Sequence, residues 1–287
     1  MKKREDIRKT YKLFIGGKFP RTESGRYIKW IDPEKSTAVN ICRGSRKDFR
    51  NAVVSARGAF SGWCSRTAFN RSQILYRIGE MLEGRRSQFM DELILQGSSK
   101  KEAELEINLS VDRLIYYAGW ADKYMQIFSH VNPTASSYFN FSYPEATGVV
   151  SAISPNNSSL LGLISVIAPI IAGGNTVVIL ASETRPLCSI TFAEVIHTSD
   201  VPGGVINIMT GYRSELLEHF SSHMDVNAIV YCGNDNEAIK MVQENAALNV
   251  KRPVIYFDEN WLDKKVQDPY RILNTLETKT TWHPVGV

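Results

Sequence analysis

The chain has 287 residues, 43% of them hydrophobic and 22% charged, with a mean hydropathy of -0.20. That excludes disorder, collagen and coiled coil, leaves room for one large or two ordinary globular domains, and makes disulfides or metal unnecessary for stability. Lys plus Arg number 34 against 30 for Asp plus Glu, and a net charge of +4 is too thin to ask for nucleic acid.

Lys2, Lys3, Arg4, Arg8, Lys9 and Lys12 open the chain with no apolar signal-peptide core behind them. The expectation is a solvated, cytoplasmic N-terminus rather than a nucleic-acid or membrane patch. Helical spacing then sets in from Ser45, which is placed as a cap with Asp48 in the first turn. Phe49, Ala52, Val53, Ala56 and Phe60 form the inner face, and the helix ends near Gly62. Asn70 is positioned to cap a second helix with Ile74, Leu75, Ile78, Met81 and Leu82 inward, closed by Gly84 or Arg85 and Arg86. A third helix runs to about Leu95. Lys100 to Phe128 reads as one long helix with Leu105, Leu109, Leu114 and Ile115 inward.

Beyond Pro133 the period drops to two, with Phe139, Phe141 and Tyr143 alternating with Tyr138, Asn140 and Ser142, as in a half-buried strand that forms an exposed arm. After Gly148, short apolar runs alternate with helical stretches. The strands are Val149 to Ile153, Thr176 to Leu180, Val205 to Met209, Ala228 to Tyr231 and Val254 to Phe257. The helices are Ser158 to Ala172, Pro186 to His197, Ser214 to His223 and Asp235 to Leu248. This alternation predicts an α/β fold, a Rossmann-like doubly wound parallel sheet, with any site on the loops after the strands. The expected organisation is an N-terminal helical shell over residues 1–132, a strand arm over 133–147, a nucleotide-binding-type domain over 148–268, and a β-rich tail over 269–287.

Leu160 to Ala172, the longest apolar stretch, is broken by Gly162, Ser165 and Pro169 and falls short of the roughly 18 residues that cross a bilayer, so no membrane span is expected. Cys42, Cys64, Cys188 and Cys232 lie far apart without CxxC spacing, and His219 and His223 lack the further ligands of a zinc site. Neither disulfide nor metal is expected, and Cys188 and Cys232 read as core residues. No GxGxxG or GxxxxGK[ST] phosphate loop occurs.

The strand-end loops nevertheless carry a pattern. Gly148, Val149 and Val150 lead to Ser154, Pro155, Asn156, Asn157 and Ser158. Gly174, Asn175, Thr176, Val177 and Val178 lead to Leu180, Ala181, Ser182 and Glu183. Pro202, Gly203, Gly204, Val205, Ile206 and Asn207 lead to Thr210 and Gly211, and Tyr231 to Cys232, Gly233 and Asn234. In order as well as kind, these residues resemble the NAD(P)-dependent aldehyde dehydrogenase family. With Leu13 to Lys18 as its opening hairpin, the resemblance runs from about Tyr11 to about Val266.

The resemblance implies a family oxyanion position at Asn157. It also implies a cofactor surface at Ile153, Ser154, Asn156, Leu180, Ser182, Glu183, Gly211, Gly233 and Asn234. In it, Asn156 replaces the loop tryptophan and Leu180 the ribose-end lysine, so NAD is expected to bind weakly at best; one lost charge-assisted hydrogen bond costs roughly 1.5 to 3 kcal/mol. The family's Glu-Leu-Gly-Gly-Lys segment has no counterpart between Tyr256 and Asp258, Glu259 aligns instead with the acidic turn after the strand, and no Gly-Gln-x-Cys motif is present.

With the nucleophile and the water-activating carboxylate both missing, Asn157 should be idle. The resemblance is strongest to the truncated second module of two-module members. It implies a non-catalytic structural or regulatory subunit, forming a homo-oligomer or pairing with a full-length aldehyde dehydrogenase. The alternative is the NAD-binding half of a split oxidoreductase whose companion supplies the cysteine domain.

Overall fold

The computed structural model describes residues 9–31 and 38–286. Lys2, Lys3, Arg4 and Arg8 lie outside the described residues, whereas Lys9 is not a solvated tail residue: its ammonium lies 2.8 Å from Glu194 and donates to the Thr191 hydroxyl.

After the Ile15–Lys18 bridge, two strands missing from the sequence reading, β1 (Tyr27–Ile31) and β2 (Ala38–Cys42), form an antiparallel pair. The helical shell follows as α1 (Arg46–Cys64), α2 (Ala68–Gly84), α3 (Arg86–Leu95), α4 (Lys100–Trp120) and α5 (Tyr124–Phe128). Ser45 and Asp48 close a capping box on α1, as their spacing predicts. On α2 the cap is Thr67, whose side chain accepts from the Asn70 amide, so Asn70 is inside the helix and not its cap.

The predicted long helix is two, α4 and α5, and its inward face is rotated from the expected one. Leu105 and Ile115 are exposed, while Glu106, Ile107, Ser110, Arg113, Leu114 and Tyr117 are buried. Polar residues on that face hid its phase.

The arm is a three-stranded sheet in the order β10-β4-β3, built from β3 (His130–Asn132), β4 (Tyr138–Ala146) and β10 (Leu276–Pro284). Its inner face is the polar one. Asn132 donates to Asn140 and Ser142, Ser142 is bonded to Thr280, and Asn140 and Ser142 are buried while Phe139 faces outward. At the arm's base, Asn175 accepts from the Gly148 amide and donates to the Thr275 carbonyl, tying the arm to the central sheet.

That sheet is parallel throughout, in the order β7-β6-β5-β8-β9. It is built from β5 (Val149–Ile153), β6 (Thr176–Leu180), β7 (Ile206–Met209), β8 (Ala228–Cys232) and β9 (Arg252–Tyr256). The helices α6 (Leu161–Ala172), α7 (Leu187–His197), α8 (Arg213–Ser222) and α9 (Asn236–Ala247) alternate with these strands. A 3-10 turn at Lys264–Val266 and α10 (Tyr270–Leu273) lead into β10.

The strands read as unbroken apolar runs because both faces are covered. Val150, Ala152, Val177 and Ile179 pack into the core shared with α2, α4, α6 and α7. Val149, Ile153, Val178 and Leu180 pack into the core shared with α1, α8 and α9. Among the described residues no helix is long and apolar enough to cross a membrane.

Helix α6 has no side-chain cap of its own. Glu106, reaching across from α4, accepts from the Leu160 and Leu161 amides and the Ser158 hydroxyl, all on one carboxylate oxygen. Glu106→Ala strands those buried donors and is expected to destabilise the fold by roughly 3 kcal/mol, while Glu106→Gln, which keeps an acceptor, should lose less. Denaturant unfolding of the two variants checks the order.

Candidate functional site

The chain runs β5, β6, β7 outward and then crosses back to β8, so the topological switch point lies between β5 and β8, where open α/β sheets bind their ligands. A cleft of about 860 Å³ opens there, lined by Asn156 and Asn157 after β5, Arg213 at the start of α8, Tyr231 and Cys232 at the end of β8 with Gly233 to Asp235 after it, and Glu259 and Trp261 after β9.

The expected site residues divide into two sets. Asn156, Asn157, Gly233 and Asn234 line the cleft. Ile153, Ser154, Leu180, Ser182 and Glu183 cluster on the adjoining ends of β5 and β6, largely buried behind it. Asn156 joins the sets, because its side-chain oxygen accepts from the Glu183 amide at 3.0 Å and its carbonyl from Thr184. Asn157 points its amide at the Glu259 carbonyl, 3.5 Å away.

Gly211 serves packing. A Cβ there would meet a Leu216 methyl at 3.0 Å and the Gly44 backbone at 3.4 Å, and Gly44 donates to the neighbouring Thr210 carbonyl. Gly233 is likewise pressed under the Tyr231 ring, with a Cβ 3.0 Å from its hydroxyl.

Sequence reasoning missed the residue that dominates the geometry. Arg213 starts from the β7 loop, donates its own amide to Glu183 at 2.8 Å, and sends its guanidinium across the strand ends to the Ser154 carbonyl. There it stands beside Tyr231 and Cys232, with its Nε buried and unbonded. Burial pushes the Arg213 pKa down from the ordinary guanidinium value. Nothing in the local sequence marks this reach; only the placement of α8 against β5 creates it.

Two other groups are equally committed. Glu259 pairs with Arg271 at 3.0 Å, and Arg271 lies 4.1 Å over the Tyr256 ring. Asp235 caps α9, accepting from the Glu237 and Ala238 amides.

The chemistry available here is limited. Cys232, in the cleft wall, is buried and pushed up to about 12 by desolvation, and Cys188 is raised by burial as well, so both stand as thiols at neutral pH. Among the described residues no group of three or more His, Cys, Asp and Glu is arranged to hold a metal.

The class defined so far is a doubly wound α/β protein with a nucleotide-type crevice, carrying a helical shell and a strand arm. The sequence profile of the aldehyde dehydrogenase family matches residues 19–256. The chain belongs to that family. It is 32% identical over 274 residues to "Aldehyde dehydrogenase, cytosolic 1" of Elephantulus edwardii, covering 89% of this chain and 54% of that protein. It is 30% identical to "Omega-crystallin" of Enteroctopus dofleini, with 90% and 54% covered.

Among solved structures, the NAD+ complex of aldehyde dehydrogenase from Bacillus cereus superposes with a TM-score of 0.82 at 25% identity, covering 87% of this chain and 51% of that one. The chain spans about half the length of the curated relatives it matches.

NAD is therefore the cofactor to test against these residues, and as placed they do not fit it. Glu183, on the expected cofactor surface, already accepts from the Arg213 amide with one carboxylate oxygen. The lining carries Glu218, Asp235, Glu237, Glu244, Asp258 and Glu259 against Arg213 and Lys240, a poor receptor for a pyrophosphate.

On the far side of α8, Lys251 closes the helix C-terminus by donating to the Ser221 and His223 carbonyls. Desolvation brings its pKa down from 10.5 to about 8. Between pH 8 and 10 the unfolded chain holds a proton that the folded chain has released, so this residue's contribution to stability rises with pH across that window. The neutral amine retains two N–H donors for the two carbonyls. Melting curves of the wild type and Lys251→Met from pH 7.5 to 9.5 should show the stability difference growing in favour of the wild type.

Proposed function

We propose that this chain acts as a non-catalytic, aldehyde dehydrogenase-like structural or regulatory subunit that pairs through its strand arm, with a second copy or with a full-length member of the family. The observation that carries this reading is the arm's inverted amphipathicity. Its polar face is turned in, and Phe139, Phe141 and Tyr143 form a ladder on the other face, with ring centroids 5.5 and 6.0 Å apart. Val131 stands opposite Phe141 on the same face, 63% exposed. An apolar aromatic face of this kind is what a partner surface covers. The site residues support the non-catalytic half of the reading: the thiols at hand are protonated, Glu259 is held by Arg271, and the segment bearing the family's glutamate has no counterpart after Tyr256.

The alternative, the NAD-binding half of a split oxidoreductase, is favoured by the cleft at the switch point. It requires hydride transfer when this chain is mixed with a cysteine-bearing companion.

Native mass measurement of the wild type, alone and with a full-length relative, tests the pairing. A dimer or mixed complex is expected. Phe139→Ser should weaken it by about thirtyfold, the effect of losing one central aromatic anchor worth about 2 kcal/mol. Melting should change little, because Phe139 is exposed in the single chain. A strict monomer in both settings overturns the proposal.

A further inference from the structure

Sheets of this topology hold a dinucleotide by presenting unmade backbone N–H groups, at the positive end of a helix beside the switch point, to its pyrophosphate. At each helix start along this edge at least one of those donors is already used. The Leu160 and Leu161 amides at α6 go to Glu106, the Leu187 amide at α7 to the Gln96 side-chain oxygen at 2.9 Å, the Arg213 amide at α8 to Glu183, and the Glu237 and Ala238 amides at α9 to Asp235. Three of the four partners are carboxylates, which supply the negative charge that a phosphate would otherwise bring.

One side chain also crosses the mouth of the cleft. The Arg213 side chain leaves the β7 loop, passes the end of β6 where Glu183 stands, and reaches the Ser154 carbonyl at the end of β5, with Tyr231 and Cys232 of β8 alongside. It therefore lies across the gap between β5 and β8, the place the sheet topology reserves for a ligand.

We infer that the Arg213 side chain and the carboxylate-rich lining obstruct the switch-point crevice of this chain, so that it does not admit a dinucleotide, with Arg213 as the residue that bars it. A dinucleotide entering would have to break the Arg213–Ser154 contact and bring two negative charges to the carboxylate-rich lining. Leu180, at the ribose end, offers no cation in exchange. The specificity of the crevice is thus set by a residue that fills it, and it stands whether or not the chain pairs through its arm.

The test is titration of the full chain with NADH, read by the change in nucleotide fluorescence and by the shift in melting temperature. Wild type is expected to show no saturable binding up to about 1 mM, whereas Arg213→Ala, which vacates the gap, should bind at least about tenfold more tightly. Arg213→Ser serves as a second variant that keeps a polar helix start, and melting of both without ligand establishes that they fold. Wild-type binding with a dissociation constant below about 100 µM overturns the inference. So does Arg213→Ala binding no better than the wild type. Tight wild-type binding lost in Arg213→Ala would make this side chain a phosphate ligand and overturn it equally. If neither variant folds, the wild-type titration decides alone.

Discussion

The N-terminus of a helix carries unmade N–H groups and a partial positive charge, and something must satisfy both. Along the carboxyl edge of this sheet the answer is internal at each of the helices α6, α7, α8 and α9. Glu106, Gln96, Glu183 and Asp235 each supply the oxygen, and only Asp235 is local to the helix it caps. The other three come from distant positions, so they also fix how the elements sit. Glu106 binds α4 to α6, Gln96 binds the end of α3 to α7, and Glu183 binds the β6 loop to α8. The same bonds that hold the shell against the sheet remove the receptor such a sheet ordinarily offers to an anion.

Burial then decides what the remaining groups can be. Arg113, in the middle of α4, is 1% exposed, bonded to the Ser165 hydroxyl and the Trp261 carbonyl, and its pKa is lowered chiefly by desolvation. Glu92, where Tyr11 and Thr191 donate to one oxygen, has its pKa raised by burial despite the nearby Lys9. These are charges kept inside for the hydrogen bonds they make, since an unpaired buried polar group costs more than a satisfied one contributes. They also explain why α4 misled. A helix whose inner stripe contains Glu106, Ser110 and Arg113 has its apolar periodicity blurred, and Leu105 and Ile115 on the outside supplied a false one.

What was legible in the sequence follows the same division. The parallel strands declared themselves, because continuous runs such as Val149 to Ile153 and Thr176 to Leu180 are what double-sided burial requires; the bounds of these two match residue for residue, while those of β7, β8 and β9 are shifted by one or two residues. Capping chemistry located α1 through Ser45 and Asp48. The loop motifs placed Asn156, Asn157, Gly233 and Asn234 on one cleft. Illegible were the features made by long reach: the Arg213 guanidinium, the Glu106 cap and the Glu259–Arg271 pair each join residues whose proximity exists only after the layers have packed. The arm was legible as a strand but not in its sense. Alternation gives two faces and not their assignment, and here Asn140 and Ser142, bonded to Asn132 and Thr280, took the inside.

The arm buries Asn140 and Ser142 and leaves Phe139 and Val131 exposed beside the half-buried Phe141 and Tyr143, and an open apolar face of this kind invites association. The bonds from Asn132 to Asn140 and Ser142 and between Ser142 and Thr280 stiffen the three strands, and the outer ladder from Phe139 to Tyr143 inherits that stiffness. A rigid aromatic face loses less side-chain entropy on docking than a flexible one. The arm is thus preorganised outward while the crevice is closed inward. Hydrogen bonds account for both features: they fix the strands of the arm and engage Arg213 and Glu183 at the carboxyl edge of the sheet.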